Sequence, residues 1–285
     1  VSKIKNVNVN QVVFGNGTDE ILDLIVRVFC NPYEDKIITL PPTYGMYDVI
    51  ANTNGVENIE IPLKSDFSID KNEILKLSSK TTKILFLCSP NNPTGNSFDT
   101  NDLTDLIKGF NGVVVVDEAY IDFSSKQSLI SLINDNNNLI ITQTMSKAYG
   151  MAGIRLGMGF SNEKIINYLN KIKPPYNVNT LTENKAIEEL SRSEELKSNI
   201  RIVLNQKKVL ISFLEKLDFV KKIYKSDANF LLVKVDNADL RYNQLLDKGI
   251  IVRNRSSQPL CQNCLRITIG TKNENNSLIK TLNQL

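Results

Sequence analysis

Two short apolar runs, KILFLC at residues 83–88 and VVVV at residues 113–116, constrain the fold of this chain more than any other feature. Each is far shorter than the about 20 residues that cross a membrane, and each is typical of a buried strand. A stretch with helical apolar spacing, residues 99–110, lies between them. Apolar strands that alternate with helices indicate a mostly parallel sheet covered on both faces. We therefore expect an α/β domain.

The rest of the chain extends this pattern and then changes. Helical spacing continues from residue 163 to residue 217 with interruptions at residues 173–175 and 191–193. The last third predicts a smaller α+β domain, so we expect a large domain at 1–195 and a small one at 196–285. Further helices are predicted at residues 21–29, 239–248 and 274–285, and further strands at residues 139–143, 228–236, 249–255 and 264–271.

Charge and the N-terminus exclude several classes of protein. The 34 basic and 31 acidic residues leave a net charge of +3, which is too small to indicate a nucleic-acid or anionic membrane partner. No secretory signal precedes residue 10. Because the first residue is Val rather than Met, we expect the sequence to begin part-way into a gene product.

The four cysteines point to a reducing compartment rather than a disulfide framework. Cys30 and Cys88 are isolated, so the cytoplasm is the expected location. Cys261 and Cys264 form a C-x-x-C, which is compatible with a redox pair, half a zinc site or a structural pair. We expect the structural pair and no metal, since the chain contains no histidine. Any catalysis must then use Lys, Asp, Glu, Tyr or Cys.

Polar residues follow the predicted strands where a ligand of a parallel sheet would sit. Asp117 directly follows four valines, and a buried carboxylate is costly without a cation or several donors. A structural Arg or a ligand could supply that cation. The loop SPNNPTG at residues 89–95 follows the preceding strand and could be an ordinary turn.

A second group of polar residues suits an anionic ligand with an electrophilic carbon. The segment TMSKAYGMAGIRLG places Thr144, Ser146 and Lys147 after a strand, with Arg155 eight residues beyond the lysine. The turn GNGTDE precedes a helix whose N-terminus either binds an anion or is simply capped by its acidic residues.

Together, five ordered motifs resemble the fold-type I pyridoxal-phosphate aminotransferases, and among them the histidinol-phosphate aminotransferase family. The resemblance covers essentially the whole chain and is more specific than any single motif. It implies a large α/β domain with a mostly parallel sheet, a smaller α+β domain and the cofactor pyridoxal 5′-phosphate. The motifs are PPTYGMY (41–47), CSPNNPTG (88–95), VVDEAYIDF (115–123), TMSKAYGMAGIRLG (144–157) and CLRITIGT (264–271).

The resemblance implies contacts to the ring of the cofactor. Lys147 matches the lysine that binds it covalently and then transfers a proton. Asp117 matches the carboxylate that pairs with the protonated ring nitrogen, and Tyr120 and Asn92 match the donors to the ring oxygen O3′. Tyr44 matches the aromatic residue that stacks on the ring. Lys147, Asp117 and Tyr120 are the implied catalytic residues.

The resemblance also implies a phosphate site and a substrate site. The phosphate contacts would come from Arg155, Ser146 and Thr144, and from backbone amides around Thr18 and Asp19. Two further arginines would bind the anionic end of the substrate, because a guanidinium fork fits a carboxylate or a phosphate. They are Arg266, on an alternating strand, and Arg253, a looser match.

The implied activity converts histidinol phosphate and 2-oxoglutarate into imidazole-acetol phosphate and glutamate, in a cytoplasmic homodimer of the histidine biosynthetic pathway. A threonine-phosphate decarboxylase, a broader aromatic aminotransferase and a non-catalytic module of the same fold remain alternatives. Retention of Lys147, Asp117, Tyr120 and Arg155 argues against the module. The resemblance also implies an N-terminal arm before the position of Val1, and we expect the chain as given to fall short of full activity without it.

Overall fold

The computed structural model describes residues Val1–Leu285 and contains two β-sheets. Seven strands form the larger sheet: β1 Val12–Asn16, β2 Lys36–Thr39, β3 Glu57–Glu60, β4 Thr82–Cys88, β5 Val113–Asp117, β6 Leu139–Thr144 and β7 Leu156–Phe160. Four form the smaller sheet: β8 Val220–Ile223, β9 Phe230–Val235, β10 Arg253–Asn254 and β11 Cys264–Thr268.

Ten α-helices surround the sheets, and none of them is long and apolar enough to span a membrane. Most of them begin after an Asp, Asn or Thr side chain that accepts from the first turn, as helix capping favours. The helices are α1 Ser2–Lys5, α2 Thr18–Phe29, α3 Met46–Thr53, α4 Lys71–Lys76, α5 Thr100–Gly109, α6 Glu163–Ile172, α7 Thr180–Leu190, α8 Ser193–Leu214, α9 Ala238–Asp247 and α10 Lys272–Leu282.

The larger sheet is mostly parallel, as the sequence predicts. Its order is β1-β7-β6-β5-β4-β2-β3, and only β7 runs antiparallel to its neighbours. Along β4, Leu85 and Leu87 belong to an apolar cluster on one face, while Ile84 and Phe86 belong to a second cluster on the other. Both faces are therefore buried, which explains why the strand is a continuous apolar run.

The carboxyl ends of β4, β5 and β6 meet at one edge of the larger sheet. Cys88 pairs in register with Asp117, and Asp117 pairs with Thr142. The segments that follow these strands, which carry the SPNNPTG, EAY and SKAYG motifs, therefore lie side by side.

The smaller sheet has the order β10-β11-β9-β8 and packs its own apolar cluster against α8 and α10. The predicted helix interruptions are confirmed, since α6 ends at Ile172 and α7 ends at Leu190. The proposed domain boundary falls in the first turn of α8 and stays a prediction. The strand predicted at residues 249–255 is wrong in length: only Arg253 and Asn254 pair with β11, and Ile251 is exposed.

Candidate active site

A cavity of about 670 Å³ lies beside the carboxyl ends of β4, β5 and β6 and is closed on another side by residues of the smaller sheet. The structure brings all twelve site residues predicted from the sequence to its lining. They are Thr18, Asp19, Tyr44, Asn92, Asp117, Tyr120, Thr144, Ser146, Lys147, Arg155, Arg253 and Arg266.

Asp117 ends β5 and is buried, with 3% of its surface exposed. Ala119 N donates to its Oδ1 at 3.1 Å, and Tyr47 Oη donates to its Oδ2 at 2.9 Å. Burial raises the pKa of this carboxyl above its ordinary value, and these hydrogen bonds oppose the shift. Asp117 takes part in none of the ion pairs of the protein. A cationic partner that faces the remaining lone pairs would stabilise a buried carboxylate in this environment.

Lys147 follows β6 in the turn that begins with Met145 and projects its Nζ to 5.5 Å from the centre of the Tyr120 ring. Desolvation is the main cause that lowers its pKa, and the positive charges of Arg266 and Arg155 add to the effect. Asp117 and other carboxylates act in the opposite direction. A lysine with a lowered pKa has more of the neutral amine, which is the form that attacks a carbonyl carbon.

One end of the cavity carries several groups that could donate hydrogen bonds to an anion. Helix α2 begins after Gly17, with no side-chain cap on its first N–H groups. Arg155 reaches the same place, with its Nη2 3.8 Å from Asp19 Oδ2. The hydroxyls of Thr144 and Ser146 lie 3.0 Å apart beside it. Free helix amides, a guanidinium and two hydroxyls are the donors that a phosphate group requires.

Two glycines allow close packing at this end. A Cβ on Gly17, whose φ is +78°, would lie 2.5 Å from Arg155 Nη2. A Cβ on Gly157 would lie 2.4 Å from the backbone of Gly17 and Thr18. Close packing of the strand β7 against the start of α2 therefore requires glycine at position 157, and the positive φ favours glycine at position 17.

The aromatic wall of the cavity comes from α3 and the segment before it. Tyr44 Oη donates to Asp19 Oδ1 at 3.0 Å. Its ring meets the ring of Tyr47 edge to face, with centres 5.5 Å apart. The hydrogen bond and the ring contact fix Tyr44 at the position where a planar ligand could stack on it.

The other end of the cavity is strongly cationic. Arg253 on β10 pairs in register with Arg266 on β11, and Arg255 lines the same cavity. None of the three guanidinium groups takes part in an ion pair. The Nε atoms of Arg255 and Arg266 are buried without a hydrogen-bond partner. Burial, together with the charge of neighbouring arginines, lowers the pKa of Arg255 and of Arg266.

Arg266 connects this cationic end to the larger sheet. Its Nη1 donates to Asn92 Oδ1 at 2.7 Å, and its guanidinium lies 5.1 Å from the centre of the Phe230 ring. Because Asn92 Oδ1 accepts from Arg266, the amide nitrogen of Asn92 remains as a donor. Tyr120 packs its ring edge to face on Phe230. Asn92 and Tyr120, the two predicted donors to O3′, both line the cavity.

Sequence reasoning missed two residues of the site. Tyr47 belongs to the quoted motif PPTYGMY and lies in the first turn of α3, but nothing local indicated its contact with Asp117. Arg255 follows Arg253 with the alternation of a strand, which is a signal that could have found it.

The C-x-x-C pair lies outside this lining. Cys261 and Cys264 are buried, and no cluster of three or more metal-binding side chains accompanies them. Burial raises the pKa of the Cys261 thiol to about 12, so the reactive thiolate form is disfavoured.

A large domain whose mostly parallel sheet is covered on both faces, with these strand-end residues, defines a pyridoxal-phosphate transferase of fold type I. The chain belongs to the aminotransferase class I and II family, whose sequence profile matches residues 2–282. It is 56% identical to a histidinol-phosphate aminotransferase of Flavobacterium psychrophilum over 98% of this chain and 80% of the relative. It is 54% identical to the one of Flavobacterium johnsoniae, over 100% of this chain and 82% of the relative.

Solved structures agree on the fold. A histidinol-phosphate aminotransferase from Clostridium acetobutylicum superimposes with a TM-score of 0.91 at 25% identity, covering 100% of this chain and 87% of the other. The histidinol-phosphate aminotransferase from Sinorhizobium meliloti, solved in complex with pyridoxal-5′-phosphate, has a TM-score of 0.90 at 22% identity, covering 99% of this chain and 80% of the other. An L-threonine-O-3-phosphate decarboxylase from Porphyromonas gingivalis gives 0.84 at 22% identity, with 99% and 86% covered.

Enzymes of this family use pyridoxal 5′-phosphate, and the cavity fits that cofactor. The uncapped start of α2, with Arg155, Thr144 and Ser146, fits its phosphate, and the buried carboxylate of Asp117 fits its ring nitrogen. Lys147 supplies an amine of lowered pKa between the two.

Proposed function

We propose that this chain transfers the amino group of histidinol phosphate to 2-oxoglutarate, which yields imidazole-acetol phosphate and glutamate in histidine biosynthesis. The observation that supports this substrate is the group of three arginines without an ion-pair partner at one end of the cavity, namely Arg253, Arg255 and Arg266. A phosphate monoester brings nearly two negative charges to this end, whereas a side-chain carboxylate brings one. The curated relatives named above support the same substrate.

In this proposal, pyridoxal 5′-phosphate is held at both ends. Arg155, Thr144 and Ser146, with the first amides of α2 at Thr18 and Asp19, bind the phosphate. When bound, the cofactor supplies an electron-withdrawing ring that stabilises negative charge on the substrate carbon.

The ring contacts follow from the same geometry. Asp117 would pair with the ring nitrogen and keep it protonated. Asn92 and Tyr120 would donate to the ring oxygen O3′, and Tyr44 would stack on the ring face. These contacts would orient the ring toward Lys147.

Lys147 has two roles in the reaction. Its Nζ would hold the cofactor covalently, and its neutral amine would take up the proton from the substrate carbon that bears the amino group. The lowered pKa of Lys147 favours this neutral form. Tyr120, whose ring lies 5.5 Å from Lys147 Nζ, borders the path of that proton.

The test compares histidinol phosphate with histidinol in steady-state kinetics, with 2-oxoglutarate as the acceptor. We expect kcat/KM to be at least about ten- to a hundredfold higher for the phosphate ester, because hydrogen bonds to charged groups contribute ~1.5–3 kcal/mol each. Arg253→Ala should weaken mainly the phosphate ester, and Arg266→Ala should weaken glutamate as well. Equal efficiency with both compounds would contradict the assignment and favour an aromatic aminotransferase.

A decarboxylase acting on threonine phosphate is the second candidate, because a protein with that activity shares the fold and its substrate would suit the same arginines. The two reactions differ in a product. Release of carbon dioxide from O-phosphothreonine, without amino transfer to 2-oxoglutarate, would replace the first proposal by the second.

We also propose a homodimer in the cytoplasm. Helix α7 exposes Leu181 and Ile187, which are 82% and 68% accessible in one chain, and a second copy could cover them. All four cysteines are buried thiols, which suits a reducing compartment. Sedimentation of the purified protein tests the dimer, and cell fractionation tests the location.

A further inference from the structure

Tyr47 is the most completely buried aromatic residue near the site, with 0% of its surface exposed. Its ring stacks on Phe86 with centres 4.7 Å apart and planes 4° apart, and Tyr44 packs against it edge to face. The ring therefore has a fixed orientation. The position of the hydroxyl follows from that orientation.

The hydroxyl of Tyr47 has one hydrogen-bond acceptor, Asp117 Oδ2, at 2.9 Å. The bond is buried and joins helix α3 to the end of β5. Cys88 lies beside both residues, but its thiol donates to the carbonyl of Pro90 at 3.5 Å. A buried hydroxyl without a partner is unfavourable, so the Tyr47 bond is maintained by burial as well as by its own strength.

Some of the other groups around Asp117 stabilise its ionised form, and others destabilise it. On β5 itself Ala119 N donates to Oδ1. Across the cavity, Lys147 carries an opposing charge, whereas Asp19 on α2 carries a like charge. Thr142 on β6 and Cys88 on β4 lie in register with Asp117, and Tyr44 and Tyr120 border the same cavity.

We propose that Tyr47 is a positioning residue for Asp117, whose hydroxyl stabilises the ionised carboxylate and turns it so that its remaining lone pairs face the ring nitrogen of the cofactor. The proposal rests on the role of Asp117 given under the proposed function. Tyr47 touches neither the cofactor nor the substrate in this account, since it does not line the cavity. It acts through Asp117.

The substitution Tyr47→Phe removes the hydrogen bond and keeps the stack on Phe86. Tyr44→Phe is the matched control, because it also removes one hydroxyl from this pair of tyrosines, but one that donates to Asp19 and not to Asp117. A thermal melt of each variant shows whether the fold is retained.

The first measurement uses the cofactor-free protein with ¹³C-labelled aspartate carboxyls, with the Asp117 signal identified by its loss in Asp117→Asn. Loss of a donor to the ionised form should raise the midpoint of the Asp117 titration by about one pH unit or more in Tyr47→Phe. Tyr44→Phe should leave it unchanged. Because no substrate or cofactor is present, this result is independent of the proposed reaction.

A second variant covers the case in which Tyr47→Phe does not fold. Incorporation of 3-fluorotyrosine at position 47 keeps the ring and the hydroxyl but makes the hydroxyl a stronger donor. The Asp117 midpoint should then move in the opposite direction, to lower pH. A shift with the wrong sign, or none in either variant, would overturn the proposal.

The second measurement is a double-mutant cycle on the loaded enzyme. Tyr47→Phe should lower kcat about tenfold, the loss of roughly one charge-assisted hydrogen bond. The same substitution in the Asp117→Asn background should change kcat less than about twofold, since the ionised carboxylate is already gone. An equal loss in both backgrounds would assign Tyr47 a packing role and refute the coupling.

Discussion

At the scale of single residues, the site is built from charges that the folded protein does not neutralise. Asp117 is buried without an ion-pair partner, and Arg253, Arg255 and Arg266 face one cavity without a carboxylate. Such residues oppose folding and favour the binding of ligands of the opposite charge. The glutamate beside Asp117 shows the contrast: Glu118 is equally buried but accepts from Ser128, Leu129 and Gln143.

Asp117→Asn should stabilise the cofactor-free protein while it removes activity. Burial raises the folded-state pKa of Asp117, so its ionisation disfavours the fold. The contribution of protonated Asp117 to the free energy of unfolding is therefore fully present below the ordinary carboxyl pKa. It is lost as the pH rises through the raised folded-state pKa. Urea unfolding at several pH values should show a mutant that is more stable than wild type at pH 7 and similar at low pH.

The same variant should lose at least about a hundredfold in turnover, because an unpaired buried cation costs ~3–5 kcal/mol. Cofactor absorbance shows whether the mutant still binds pyridoxal phosphate. A mutant that is less stable at pH 7, or that turns over like wild type, would contradict the role of Asp117.

Lys147 should carry the cofactor. Its place after β6 and its lowered pKa motivate this prediction. Borohydride reduction of the loaded enzyme, followed by peptide mass mapping, should find the pyridoxyl group on Lys147. Lys147→Ala should fold and remain unlabelled; a label on another lysine of the wild type would refute the assignment.

At the scale of elements, the helix that points at the cavity begins without the side-chain cap that most of the helices have. Asp99, Asn162 and Asn179 cap α5, α6 and α7 with their side chains. Helix α2 begins at Gly17 without such a cap, so its first amides stay available to an anion. The close approach of β7 to this helix depends on Gly157.

Gly157→Ala should weaken both the fold and cofactor binding. The added methyl group would lie 2.4 Å from the backbone at Gly17, and strain of this kind costs typically ~1–3 kcal/mol. Gly153→Ala is the matched control, because nothing lies within 4 Å of the corresponding Cβ. Thermal melting and cofactor titration of both variants check this; equal behaviour of the two would disprove the packing role of Gly157.

At the scale of the whole molecule, the site exists only where the two sheets meet. Arg266 from the smaller sheet donates to Asn92, which follows β4 of the larger one. Nearby, Asp227 N donates to Gly95 O at 2.7 Å, and Ser97 N donates to Asp227 Oδ2 at 3.1 Å. These contacts hold the arginine cluster in front of the strand ends, so substrate choice depends on both parts of the chain.

Arg255→Gln should reduce the preference of the enzyme for a phosphorylated substrate over glutamate. With one fewer cation, kcat/KM for histidinol phosphate should fall about ten- to a hundredfold. The efficiency with glutamate should fall less, since a carboxylate needs fewer donors. Arg201→Gln, on an exposed position of α8, is the control and should change neither. An equal loss for both substrates would show that Arg255 supports the fold of the site and does not select the phosphate.

The sequence by itself determined the strands β4, β5 and β6 and the polar residues that follow them, because buried strands are continuous apolar runs and the ends of parallel strands meet at one edge. Through its ordered motifs it also indicated twelve of the residues that line the cavity. Only the tertiary structure decided which side chains touch: Tyr47 donates to Asp117 across 70 residues, and Arg266 donates to Asn92 across 174. Hydrophobic periodicity is a local signal, whereas these contacts depend on how helices and sheets pack once the chain has folded.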